Sequence, residues 1–349
     1  MGVPPAFSLL KVAQACQPGP ELGRPLAASG KQSMTELHRF AALDLGSLTV
    51  RLAIAERTPT GDFRLLLHRR EITGLAQGLA QTGELAEEAM GRTLQALQVF
   101  VQVMDDHLVK EYRAVATHAV RAARNGPAFL ERVRSELDLA VQVLSPVEEA
   151  RLSLQGVLSA LAEKYLENPL LVFDVGGGSS EFALVRPGQE TKFASLPLGV
   201  LTLSQARPLG DPPEPAKVAA LHKELAGKIR GFRDCTLPPD LLNFPILVGT
   251  AGAVTTLAAM HLQLTEYEPA KVNNLVMTRE QVENLTGLLL RLTEAERARL
   301  PGIEPAKAGV MGAGALIICT ILEVFGQDFL VVIDAGLLEG VLASFEFRG

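Results

Sequence analysis

Carboxylates set beside glycine-rich turns are the side chains of this sequence best suited to chemistry. In Asp174-Val175-Gly176-Gly177-Gly178-Ser179-Ser180-Glu181, three consecutive glycines lie between two acids. Glycine inside a strand weakens it, so a triple glycine between apolar strands marks a turn whose backbone N–H groups approach a ligand closely. Asp174 ends the incoming strand and Glu181 begins the returning one. Both carboxylates therefore reach the mouth of the turn, where they suit Mg2+, which takes oxygen ligands. The plainer alternative is a glycine-rich hairpin with solvated acids. An earlier segment, Asp44-Leu45-Gly46-Ser47-Leu48-Thr49-Val50-Arg51, repeats the pattern. The stretch from Phe40 to Ile54 aligns without a gap on that from Leu170 to Leu184, with Arg51 at the position of Glu181. Two such hairpins imply two facing lobes with a phosphate held between them, one lobe offering a cation and the other metal ligands. Ser47 and Thr49 also have the simpler use of satisfying their own turn.

Three further segments add polar groups. In Ser145-Pro146-Val147-Glu148-Glu149, Ser145 fits an N-cap, Pro146 the first helical position and Glu148 the third, a capping box. Glu148 then has a structural task and Glu149 is left free, either as a solvated first-turn acid or as a general base that orients and deprotonates water. Arg121 and Arg124, after the short strand ending at Thr117, lie on one face if helical, and guanidinium suits bidentate phosphate contact. Ordinary surface arginines read equally well, and His118 carries little weight alone. Gly249-Thr250-Ala251-Gly252 runs from a strand into a helix, whose N-terminus favours anions, although a plain turn serves as well.

These groups need a frame, and 349 residues with 48% hydrophobic content and 21% charge are enough to bury two cores. A net charge of −6 gives no global basic field, which argues against non-specific nucleic-acid binding. Cys16, Cys235 and Cys319 have neither disulfide-framework nor zinc spacing, which fits a reducing cytoplasm. The run from Ala308 to Leu322 is too short and too rich in small residues for a membrane span and reads as a buried helix. Residues 1–37 read as a disordered or mis-started extension, with Met34 as the natural start and no signal peptide.

Strands are expected at 62–72, 114–117 and 141–144 after the first hairpin, with helices at 83–110, 129–139 and from Ser145. A second round follows: strands at 170–174, 181–186, 192–195, 246–249 and 329–334, and helices at 215–232, 253–263, 279–293 and 308–324. The expected class is α/β, with lobe I at 38–147 and lobe II at 148–335; the terminal helix, 336–349, is free to return to lobe I.

In this order, seven blocks (DLGSLTVRL, ATHAVRAARN, LSPVEEARL, FDVGGGSSE, SLPLGVLTL, GTAGAVTTLA and IDAGLLEGVL) make the chain resemble the Ppx/GppA family of exopolyphosphatases and guanosine pentaphosphate phosphatases. The resemblance implies two RNase H-like lobes of the actin, sugar-kinase and Hsp70 superfamily and Mg2+-dependent release of a terminal phosphoryl group. It implies Glu149 as catalytic base and Asp44, Asp174 and Glu181 as metal ligands. Phosphate would be bound by Gly46, Ser47, Thr49, Arg121, Gly176, Gly177, Gly178, Ser179, Gly249 and Thr250. The substrate implied is inorganic polyphosphate or guanosine pentaphosphate, with no nucleic-acid or membrane partner and with a homodimer left open. Leu48, Gly309 and Leu338 depart from the family pattern, where Asn, Asp and Arg are usual. These departures leave a catalytically weak phosphate or nucleotide sensor as a rival, and the shared architecture leaves a kinase as another. The chain resembles the short two-domain branch, which lacks the helical extension of longer members.

Overall fold

Two apolar strands joined by a tight turn begin each half of the molecule, and the rest of each sheet grows from that hairpin. The computed structural model describes residues 38–57, 63–236 and 245–345; the expected N-terminal extension lies outside them. In the first sheet, β1 (Arg39–Leu45), β2 (Thr49–Arg57) and β3 (Phe63–Ile72) form an antiparallel meander. β4 (Glu111–Ala116) and β5 (Val141–Val143) add in parallel beyond β1, giving the order β3-β2-β1-β4-β5. The second half repeats this with β6 (Leu170–Val175), β7 (Ser180–Val185) and β8 (Lys192–Leu196), then β9 (Ile246–Thr250) parallel to β6. β10 (Leu275–Thr278) and β11 (Phe329–Val332) complete the order β10-β11-β9-β6-β7-β8. This is the expected pair of RNase H-like lobes. Strand β10 has no counterpart in the sequence reading: at four residues it is too short to show a period, and its antiparallel pairing with β11 creates it.

The helix Ala308–Val324 lies where the small-residue apolar run predicts, with nearly all its side chains in the second lobe's core. With the short helical turn before it, the stretch Pro305–Val324 is long and apolar enough to cross a membrane by length and composition, but most of it is buried inside the protein. The expected helix at 83–110 is shorter, Glu87–Asp106, because Ala86 is extended and Leu108 adopts a left-handed φ of 53°.

One helix serves both lobes. Along Pro146–Ala160, Leu152 packs with Phe40, Ala42, Leu337 and Val341 behind the first sheet, whereas Leu154 and Val157 pack with Leu170, Val172 and Val331 behind the second. The terminal helix Leu337–Ala343 crosses it and covers β1 and β2. Glycines set the crossing distance. A Cβ at Gly156 would stand 1.9 Å from the Gly336 carbonyl oxygen, and one at Gly340 would stand 1.7 Å from that of Leu152. The helices cannot separate without lifting Leu337 and Leu338 from the first sheet. Gly340→Ala should therefore destabilise the protein by about 1–3 kcal/mol or more, as overpacking against backbone does. A urea denaturation midpoint equal to that of the parent would show that the crossing yields freely.

Candidate active site

The two hairpins match residue for residue. Asp44 pairs with Arg51 and Leu45 with Val50 across the first, and Asp174 pairs with Glu181 and Val175 with Ser180 across the second. Each turn closes with the same bond, Gly46 N–H to the Thr49 carbonyl and Gly176 N–H to that of Ser179, both 3.0 Å. The turns meet at their apices. A Cβ on Gly177 would lie 3.0 Å from Ser47 Cβ, and one on Gly178 would lie 2.3 Å from His118 Cδ2 and 2.8 Å from Ser47 Oγ. Glycine is needed here because the other lobe occupies the side-chain position. The tips touch, and residues of both turns line one cleft of about 1110 Å³.

Asp44, Glu149, Asp174, Glu181 and Glu339 line that cleft. Glu149 is held by the helix Pro146–Ala160, whose start is fixed by the expected capping box: Glu148 N–H donates to Ser145 Oγ at 3.2 Å, and Ser145 N–H donates to Glu148 Oε2 at 2.8 Å. Glu149 is not free, as the capping argument leaves it. Arg121 Nη1 donates to its Oε2 at 2.9 Å and to the Leu144 carbonyl at 2.7 Å. One helical turn after Glu149, on the same face, Ser153 Oγ donates to Asp174 Oδ2 at 2.8 Å. A single helix thus aims the candidate base and fixes an acid of the second hairpin. Opposite Glu181 across β7 and β8, Ser195 Oγ donates to its Oε1 at 2.9 Å.

Burial is the main reason that Glu149, Asp174 and Glu181 resist ionisation, and their mutual repulsion adds to it. The Glu149 carboxyl is raised by burial and then by Glu181, against the opposing pull of Arg121. That of Glu181 is raised by burial and then by Asp174, and that of Asp174 by burial with a smaller contribution from Asp44. Asp44 is 2% exposed; its Oδ2 accepts from both Nε and Nη2 of Arg51, at 2.9 and 2.5 Å, while its buried Oδ1 has no partner. Among the described residues no three acidic, histidine or cysteine side chains form a ready-made metal cage. The donor chemistry nonetheless fits a hard divalent cation: every donor is oxygen, the acids repel one another, and a buried carboxylate oxygen lacks a partner.

Other expected residues fall in different places. Gly46, Ser47, Thr49, Gly176, Gly177, Gly178, Ser179 and Thr250 line the cleft. Gly249 does not. It lies within β9, where a Cβ would meet the Phe173 ring at 2.8 Å, so its lack of a side chain serves sheet packing; Ala251 and Gly252 face the cleft instead. Ala251 holds a left-handed φ of 72°, an uncommon conformation for a residue with a Cβ. Thr250 Oγ1 donates to the Ala335 carbonyl at 2.6 Å. Arg121 ends the short helix His118–Ala122 and is engaged by Glu149, whereas Arg124 falls beyond it and donates to the Thr82 carbonyl and to Glu84.

Each departure from the family pattern has a local setting. Leu48 packs partly against the first core and borders Gly177. Leu338 is fully buried beside Leu152. Gly309 leaves a space bordered by the Glu294 carboxylate, 3.2 Å from where a Cβ would be. Sequence reasoning did not pick out Glu339, Lys307 or Arg70. Glu339 had a usable signal, since it stands three residues after Gly336 and its Oε2 accepts from that N–H at 2.8 Å.

The chain is 29% identical over 322 residues to exopolyphosphatase 2 of Mycobacterium tuberculosis, covering 88% of this chain and 98% of that protein. Its structure resembles the Ppx/GppA family member of Aquifex aeolicus, with a TM-score of 0.73 and 34% identity over 88% of this chain and 97% of that one. It also resembles an exopolyphosphatase from Cytophaga hutchinsonii, with a TM-score of 0.79 and 25% identity over 88% and 97% of the two chains. Residues 53–348 match the model of the Ppx/GppA phosphatase family, and the chain belongs to that family.

Proposed function

We propose that the protein is an exopolyphosphatase that releases terminal orthophosphate from inorganic polyphosphate by attack of water. The observation that carries this reading is the position of Glu149, on one cleft with Asp44, Asp174, Glu181 and the glycine turns of both lobes. The terminal phosphoryl group lies alongside the touching tips, where backbone N–H groups of the Gly176–Ser179 turn and the hydroxyls of Ser47 and Thr49 are at hand. Glu149 takes the proton from the attacking water. Arg121 occupies Oε2, which leaves Oε1 as the acceptor and fixes the carboxylate's orientation. A base with a raised pKa suits this task, since proton transfer is most effective when the base is poised near the working pH. A divalent cation such as Mg2+, held by Asp44, Asp174 and Glu181, would neutralise charge spreading over the phosphoryl oxygens.

A cleft of about 1110 Å³ is far larger than one phosphate and extends to a second group of cations. Arg70 on β3 forms an ion pair with Glu304 of the second lobe, and Lys307 Nζ lies 3.3 Å from the same acid. Lys307 is 5% exposed, and burial, then Arg70 and Arg51, push its pKa down to about 7. Arg70 and Lys307 share Glu304, and an arriving polyanion would add to the negative charge facing them, which suits a chain of phosphates entering beyond the reacting one.

Two outcomes test the reading. Glu149→Gln should lower phosphate release from long polyphosphate by about 10²-fold or more while retaining substrate binding, because only the general base is removed. Parallel assays on triphosphate and guanosine pentaphosphate assign the substrate: faster release from guanosine pentaphosphate makes the protein a 5′-phosphatase, and saturable binding without release makes it a sensor. The second outcome concerns stability. The depressed Lys307 pKa disfavours folding wherever the unfolded chain carries that charge, so the penalty begins below the ordinary value of 10.5 and is complete below about 7. Lys307→Met should therefore raise the melting temperature more at about pH 6 than at about pH 9. An equal gain at both would show that Lys307 is not desolvated as its position requires.

A further inference from the structure

The two hairpins share one backbone and differ at one charged position. In the second, Asp174 stands opposite Glu181, and no basic residue occurs anywhere between Leu170 and Val185. Their direct partners are hydroxyls, Ser153 on Asp174 and Ser195 on Glu181, which satisfy lone pairs without supplying charge. Arg121 of the first lobe is committed to Glu149 and the Leu144 carbonyl. In the first hairpin the residue opposite Asp44 is Arg51, whose Nε and Nη2 both reach Asp44 Oδ2.

Arg51 acts beyond its own hairpin. It lines one cleft with Asp44, Glu339 and Asp174. Those acids come from three parts of the chain: β1, the terminal helix and β6. Asp174 Oδ2 lies 3.9 Å from where a Cβ on Gly336 would stand, and Gly336 N–H donates to Glu339, so the last two acids meet at one point of the chain. A guanidinium at this junction faces carboxylates from both lobes, as a bound divalent cation would.

We infer that Arg51 is a built-in cation: it fills in the first hairpin the place that the second leaves to an exchangeable divalent ion, so the duplicated site takes one metal and not two. The inference rests on the proposed function only in assigning a divalent ion to Asp174 and Glu181. Arg51 is then a positioning residue, tied to the chain, that holds Asp44 Oδ2 and leaves the buried Oδ1 without a partner.

Metal binding tests this without turnover. Mn2+, which takes the same oxygen ligands as Mg2+, is titrated into the full chain without substrate, and bound ion is counted from the loss of the free-ion electron paramagnetic resonance signal. The parent and Arg51→Lys should bind one Mn2+ per chain. Arg51→Glu, which copies the acid pair of the second hairpin, should bind two. Arg51→Ser, a milder change, should melt lower than the parent in chelator and recover more on Mn2+ addition than the parent gains. A parent that binds no Mn2+ overturns both the metal assignment and this inference. One ion in the parent, one in Arg51→Glu and no extra recovery in Arg51→Ser overturn this inference alone, as does a parent that binds two.

Discussion

Several carboxylates must share one cleft between two apolar lobes, and burying like charges together is the constraint on which the rest of the structure depends. Isolated buried carboxylates would protonate and lose their use as ligands or bases. Five of the acids here are instead given a specific partner: Arg51 for Asp44, Arg121 for Glu149, Ser153 for Asp174, Ser195 for Glu181 and the Gly336 N–H for Glu339. Only the first two partners are charged. The cleft is therefore electrostatically incomplete on the side of the second hairpin.

The backbone geometry that supports this arrangement is set by small residues. The apices of the two turns touch because Gly177 and Gly178 have no side chains, and the helix carrying Glu149 and Ser153 crosses the terminal helix at Gly156 and Gly340. The first contact fixes how closely the lobes approach. The second fixes the angle at which Glu149 and Glu339 enter the gap. Relative lobe movement is then confined to what these contacts allow, and the Arg70–Glu304 pair at the far end of the cleft adds a contact between β3 and the second lobe that water can weaken.

The sequence revealed most where a local rule was enough. Alternation and glycine placement were sufficient to locate both hairpins, and their gapless alignment anticipated the shared register of Asp44 with Arg51 and Asp174 with Glu181. The Ser145/Glu148 capping box was legible because it is a four-residue interaction. What was not legible depends on distant parts of the chain. Nothing near Glu149 announces that Arg121, on another helix, will engage it, and Gly249 looks like a loop glycine until Phe173 is seen packed against it. Strand β10 exists only because β11 is beside it. The contact between the tips likewise requires both lobes in place.

Duplication explains why the two halves can be alike in backbone and unlike in charge. A register shared by both hairpins places the residue opposite each aspartate at the same point of the cleft, so one substitution at that point changes the electrostatics without disturbing the fold. Arginine there makes the first half self-neutralising; glutamate there makes the second dependent on what binds. Two equivalent acid pairs would need two ions to neutralise them, whereas this arrangement needs fewer external charges and keeps Asp44 oriented before any arrive. The asymmetry also gives the cleft a direction, with tethered cations on the β2 and β3 side and, on the β6 and β7 side, acids whose partners are uncharged hydroxyls; under the proposed function a polyanion would enter along the first and react at the second.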